Sequence, residues 1–368
     1  MSEHNQRVED FIREKLFSTT GETFFDYEYA EDDIYHRLNT IGIRLTREFI
    51  PGNSNFYLVE SQQVQAVAIH DNYTVMVYKG MLEYLFRIVS MMAGAECLHR
   101  EPDVKIFMPW AGNMSSWLQA GEFDWENEEY WWLREPESRN FFDQIVDMLF
   151  TFVVLHEIGH LHNLHAWRRT VINKGVTPAA SDSLFIHRAV EEDGDKILVD
   201  LLAGHVREIV ADTFAFQFMV DEFKYVFFPE LRLASIDWDL RNAMEVTNVV
   251  TCLYGVAAYF WALHYRKPMT NDSQLNGYPS HAFRLVSIEA ASLEHGLGAG
   301  LHDRTAGLKL GIENYLTKLN TASGNSDFID WRHSINNKAS EEHYFKICEN
   351  TKHWSNGFFG VRDEDWMK

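Results

Sequence analysis

Cysteine is scarce in this chain, and its spacing forms no motif. Only Cys97, Cys252 and Cys348 occur among 368 residues, and none sits in a CxxC pair. That leaves no thiolate zinc site and no redox motif, and an odd, sparse count suits a reducing compartment. Basic residues are also short: 33 Lys and Arg stand against 54 Asp and Glu, a formal net charge of −21. Such a surface repels phosphate backbones and anionic lipid, so nucleic acid and membranes are not expected partners. The opening residues, Met1 to Arg7, are polar with no apolar run behind them. No secretory leader is therefore expected, and the expected location is cytoplasmic. Internal repeats and low-complexity tracts are missing too, which sets aside solenoids and disordered arrays.

What is present is a folding composition, 46% hydrophobic and 14% aromatic, with length enough for one large or two modest domains. The longest uncharged run, Val246 to Leu263, is just long enough to span a bilayer. Thr247, Asn248 and Thr251 within it favour a buried core helix, and Arg266 and Lys267 suit its C-terminus. Residues 1–63 read as an N-terminal unit. Val8, Phe11, Ile12 and Leu16 have helical spacing, and strands are expected at Ile41–Ile50 and Phe56–Glu60 around a Pro51-Gly52-Asn53 turn. Residues 64–300 read as the catalytic domain, with strands at Val64–Ile69 and Thr74–Tyr78 and a helix over Met81–Met92. An aromatic insertion follows over 107–136, carrying Trp110, Trp117, Trp125, Trp131 and Trp132. It reads either as a lid or substrate wall, or as a loop pinned to the body by its own rings. Helices are expected over Ser138–His165, Val190–Leu202 and His205–Phe223. Residues 301–368 form a C-terminal extension with no assigned role. The expected class is α+β: a small mixed or antiparallel sheet packed on a helix, followed by a mostly helical C-terminal half.

The chemistry concentrates in His156-Glu157-Ile158-Gly159-His160, an HExxH motif inside an apolar helical run. Residues four apart share a helix face, so His156 and His160 can grip one metal, with Glu157 beside it as a general base. A catalytic zinc takes three protein ligands and leaves one position open. The metzincin third ligand would fall at position 166, which holds Ala166, with Asn163 where that pattern has Gly. At about 100° per residue, His162 and largely His165 point away from the His156/His160 face. A second pattern lies about fifty residues downstream. Arg207-Glu208-Ile209-Val210-Ala211-Asp212 offers Glu208 as third ligand and Asp212, one turn on, as an acceptor for the spare N–H of a ligand histidine. The small Ala211 lets the two helices approach. Burying two imidazoles and a carboxylate in an apolar face is costly unless something satisfies them, and a metal does so; a His/His/Glu set with an open position favours Zn²⁺ over another divalent ion. The separate acidic run Glu191, Glu192, Asp193 and Asp195 reads as a solvated loop.

With these residues in view, HEIGHLHNLH resembles the HExxHxxxxH start of the CAAX-prenyl-protease-like gluzincins, including their small soluble relatives (minigluzincins). Thr74-Val-Met-Val-Tyr-Lys-Gly-Met-Leu resembles the strand and helix before the motif in that group. Glu208 to Asp212 resembles its ExxAD segment, and Tyr278-Pro279-Ser280-His281 to Arg284-Leu285 its later His-Pro-to-Arg segment. The Lit-type phage-exclusion peptidases share similar pieces. The resemblance covers roughly residues 64–290 and implies a zincin-like fold. It also implies a histidine facing the developing oxyanion. Tyr278 stands where that histidine is expected, and His281 follows three residues later; either can donate the bond.

The expected activity is zinc-dependent hydrolysis of a peptide bond in a soluble protein or peptide, through zinc-activated water and Glu157. A gated role in bacterial regulation or phage defence fits the resemblance. Thr74–Tyr78 is the expected edge holding substrate by main-chain hydrogen bonds. The alternatives are a zinc-binding sensor with an idle site, a zinc hydrolase of small molecules, and a membrane-embedded prenyl protease. Oligomeric state, substrate and trigger are not encoded in any pattern we identify.

Overall fold

A computed structural model describes residues 3–25, 34–50, 52, 54–100, 110, 113–172, 201–233, 235–266, 279–298, 302–322 and 327–356. The expected oxyanion partner Tyr278, the acidic run 191–195 and most of the expected helix 190–202 lie outside these residues. The described part is mostly helical with one small mixed sheet, an α+β arrangement. The helices are α1 (Glu3–Thr20), α2 (Ile34–Phe49), α3 (Lys79–Arg100), α4 (Met114–Leu118), α5 (Pro136–His162) and α6 (His165–Ile172). After these come α7 (Leu201–Phe227), α8 (Trp238–Arg266), α9 (His281–Gly298), α10 (His302–Ala322), α11 (Asp327–His333) and α12 (Lys338–Thr351). The strands are β1 (Thr23–Phe24), β2 (Asn55–Glu60), β3 (Ala66–Ile69) and β4 (Thr74–Tyr78).

The strands lie in the order β1-β2-β4-β3, with β2 parallel to β4 and the other pairs antiparallel. Side chains alternate between the two faces. On one face Phe56, Leu58, Ala68, Val75 and Val77 join the main core, while Val59, Val67, Ile69, Met76 and Tyr78 meet Ile12 and Leu16 of α1 on the other. The strand expected to offer an edge, Thr74–Tyr78, is therefore flanked on both sides, as its five fully buried residues require. The outer strand on the α5 side is β3. The expected boundary at residues 63 and 64 falls inside this sheet, because β2 pairs with β4.

Ile41–Ile50 is not a strand. Ile41, Ile43 and Leu45 alternate, but Ile34, Leu38, Gly42 and Leu45 also lie on one helical face, and α2 buries that face. Gly42 is needed there, since a Cβ would come within 2.4 Å of the Phe56 ring.

At the centre of the fold, α5 starts with proline in its first turn and buries nearly every residue from Phe142 to Leu161. It packs on α7, α3 and α2, and it presents the motif at its C-terminal end. The described residues of the aromatic insertion lie at the opposite end. The rings of Phe123 and Trp125 meet Phe142 at 6.4 and 5.5 Å. The indole N–H of Trp132 donates to the Ser90 carbonyl at 3.1 Å, and Trp110 and Trp132 are fully buried. At 1.5 Å rise per residue, Phe142 is roughly 21 Å along the axis from His156. These residues form a pinned loop and do not wall the motif.

Asn248 is 1% exposed and donates to the Val220 carbonyl at 2.9 Å, tying α8 to α7. The apolar window of α8 is long enough to cross a membrane, and 67% of it is buried within the fold. The C-terminal extension shares the main core through Ile312, Tyr315, Leu319, Phe328, Trp331, Ile347 and Trp354.

On α12, His343 meets His205 of α7 with ring nitrogens 2.8 Å apart. Burial, then the charge of His205 and of Lys346, pushes His343 down to about 4. The unfolded chain takes up this proton near pH 6.5, whereas the fold resists it until about pH 4. Stability at this position is thus complete above pH 6.5 and declines as pH falls through that window. Urea titrations at pH 7 and pH 5 are expected to show a smaller acid loss for His343→Gln than for the parent chain. An equal loss in both would mean that this pair does not govern the slope.

Candidate metal centre

Two helices build the centre. α5 and α7 approach so closely at Gly159 and Ala211 that a Cβ on Gly159 would sit 3.1 Å from the Ala211 Cα. This contact sets the His156/His160 face of α5 against the Glu208/Asp212 face of α7. His156 Nε2 and His160 Nε2 are 3.2 Å apart. Glu208 presents Oε2 at 3.5 Å from His156 Nε2 and Oε1 at 3.5 Å from His160 Nε2. A tetrahedral ion with bonds of about 2.0–2.1 Å needs ligand atoms roughly 3.3–3.4 Å apart. The two 3.5 Å approaches are made by different Glu208 oxygens, and with one ligand atom from each residue the three lie within 4.8 Å of one another, close enough to hold a metal ion; no other such cluster occurs among the described residues.

The surroundings of each donor suit that role. His156 Nδ1 faces Asp212 Oδ1 at 2.9 Å, an angled contact in which attraction between charges outweighs any linear hydrogen bond. A nitrogen facing a carboxylate keeps its proton, so Nε2 is the atom left to a metal, which must displace the second proton from it. Burial disfavours a charged His156, but Asp212 and Glu208 outweigh it and raise the imidazole to about 10. Burial also works against the ionised Glu208, but His156, His160 and Arg284 hold its carboxyl well below the usual carboxylate range.

Arg284, on the first turn of α9, grips Asp212 with two bonds of 2.7 and 2.6 Å and reaches Glu208 at 3.6 Å. Its guanidinium lies over the Phe260 ring at 4.9 Å. Burial and then Arg284 act in opposite senses on Asp212, and the net effect lowers its carboxyl below its ordinary value. The sequence shows Arg284 only as part of a resembling segment. Its role depends on α9 folding back beside α7, which no local pattern encodes.

Glu157 is buried at 6% exposure beside His156. His281 opens α9, three residues before Arg284, with its ring stacked toward Phe260 at 6.2 Å. His162 points to the other side of α5, toward the Phe214 ring at 5.1 Å. His165 departs from the helical-wheel expectation. α5 ends at His162, Asn163 caps it by donating to the Gly159 carbonyl at 2.8 Å, and Leu164 turns left-handed at φ 53°. The chain then returns His165 to the site, where its Nδ1 lies 2.8 Å from His160 Nδ1. Burial, then the charge of Arg207, holds this imidazole well below its ordinary value, so it is neutral.

Tyr259 of α8 was not singled out by any motif. Its ring packs at 6.1 Å on Phe152, one turn before His156. Burial raises its phenol against the opposing charge of Arg284, with Asp212 and Glu157 adding to the rise, so the O–H stays protonated at all ordinary pH.

Comparison of the chain with protein-family models, curated proteins and solved structures finds no match.

Proposed function

We propose that the chain is a zinc-dependent endopeptidase of zincin-like, gluzincin type. One observation carries this reading: two imidazole nitrogens and one carboxylate converge closely enough to hold one metal ion, and the residue after His156 along the helix, Glu157, is buried as well. Two histidines and a glutamate are the donor set of a hydrolytic zinc site with a free position. When bound, zinc supplies a Lewis acid that brings water ionisation near neutral pH and polarises a peptide carbonyl.

The chain's own residues do the rest. Glu157 accepts a proton from the attacking water and returns it to the leaving amine. Tyr278 or His281, the motif-based candidates, or the buried Tyr259 donates to the carbonyl oxygen as it gains charge. Arg284 and Asp212 hold His156 and Glu208 in place. For the substrate, β3 replaces β4 as the strand whose outer edge can pair with an extended peptide. The three cysteines form no disulfide, in keeping with action on a soluble protein or peptide in a reducing cytoplasm.

The test is a comparison of new protein N-termini in cells expressing the parent chain or Glu157→Gln. Termini that appear with the parent alone support a peptidase. A complete absence of such termini, with metal bound to both proteins, would leave the cluster as a binding site without proteolysis.

A further inference from the structure

We infer that His165 and the main-chain carbonyl of Trp354 form a relay that orients His160, making the C-terminal segment a working part of the metal centre. The inference rests on the metal-centre reading but not on any peptidase activity.

The direction of the relay follows from its far end. His165 Nε2 lies 2.9 Å from the Trp354 carbonyl oxygen. A carbonyl only accepts, so the proton sits on His165 Nε2. His160 offers its Nε2 to the metal and so keeps its ring proton on Nδ1, which leaves the lone pair of His165 Nδ1 as the acceptor between the two rings. That lone pair faces His160 Nδ1 at 2.8 Å, so His160 must be the donor. His160 is thereby fixed as the Nδ1–H tautomer, with its Nε2 lone pair directed at His156 and Glu208. Asp212 does the same for His156 from the other side. One ligand is oriented from within the motif pair, the other, through His165, from a carbonyl 189 residues beyond His165 in sequence.

The carbonyl is held in place by several bonds to the end of α5. Asn356 receives a bond from the Arg168 guanidinium and donates its main-chain N–H to Asn163 Oδ1 at 2.9 Å. Its carboxamide donates to the His162 carbonyl at 2.7 Å, and Arg168 also donates to the His353 carbonyl at 3.0 Å. The Trp354 ring lies 4.8 Å beneath the guanidinium of Arg207, the residue before Glu208. Residues 353–356 therefore touch both helices that carry ligands. His165 is a positioning residue, acting through His160.

The test uses full-length protein and zinc alone, titrated against a chromophoric chelator. His165→Phe keeps the volume but offers no acceptor, and zinc affinity is expected to fall about 10- to 100-fold, the range for lost outer partners of ligand histidines. His165→Gln can accept from His160 and donate to Trp354, and is expected to recover most of that loss. Affinity unchanged in His165→Phe, or equally weak in both variants, overturns the relay. Long-range nitrogen–proton NMR of the unsubstituted protein provides a test independent of variant folding. His165 is expected as the Nε2–H tautomer, and the Nδ1–H tautomer overturns the relay. Failure of the parent chain to bind zinc removes the metal centre itself. Tight binding by the parent with no change in His165→Phe removes the relay alone.

Discussion

Glu157→Gln is expected to bind metal at the parent stoichiometry and to lose roughly 10²- to 10⁴-fold in hydrolytic turnover, the usual contribution of a positioned general base. Glutamine keeps the shape and the burial of the side chain, which is 6% exposed, so the fold has little reason to change. The three donors are His156, His160 and Glu208, and none is touched. What disappears is the proton acceptor beside His156. The loss should therefore fall on kcat, with metal content and melting temperature nearly unchanged. Parent-like turnover in Glu157→Gln would remove Glu157 from the chemistry. Loss of metal in the same variant would mean that its carboxylate belongs to the ligand set.

Arg284→Met is expected to destabilise the metal-free protein by about 3–5 kcal/mol, the cost of stripping one partner from a buried ion pair. Asp212 is fully buried and takes two bonds from Arg284, and Glu208 lies 3.6 Å from the same guanidinium. Methionine fills the space against Phe260 but leaves both carboxylates without that cation. A divalent ion placed between His156, His160 and Glu208 supplies positive charge to the same carboxylates. Saturating zinc should therefore recover much of the lost stability, and the zinc-induced stabilisation should be larger in Arg284→Met than in the parent. Denaturant titrations with and without chelator measure both quantities. A metal-free variant within about 0.5 kcal/mol of the parent, the range of an ordinary surface change, would show that Arg284 does not balance this site.

The parts of the centre fixed by helical periodicity were readable in the sequence. His156 and His160 are one turn apart on α5, as are Glu208 and Asp212 on α7, and their apolar neighbours bury both faces. Ala211 signalled the close approach that Gly159 completes. Features set by chain reversal or by strand order were not readable. His165 looked misdirected because a helical wheel assumes an unbroken helix, whereas α5 ends two residues after His160 and Leu164 turns the chain back. Thr74–Tyr78 looked like an edge because one strand read alone does not say how many neighbours it has. Its unbroken apolar character was the clue that it lies inside the sheet. At Ile41–Ile50 two periodicities overlapped over a short window, and the longer apolar face beginning at Ile34 decided for a helix. Tyr259 and Trp354 reach the site only through tertiary folding, from segments with no motif of their own, and Arg284 was visible only as the end of a resembling segment.

The most direct measurement is metal content by mass spectrometry after exhaustive dialysis, for the parent chain and for Glu208→Ala. One zinc per parent chain is predicted. Glu208→Ala should retain far less than one, because two imidazoles 3.2 Å apart would then hold the ion without its third protein donor. A metal-free parent, or full occupancy in Glu208→Ala, would contradict a centre built from His156, His160 and Glu208.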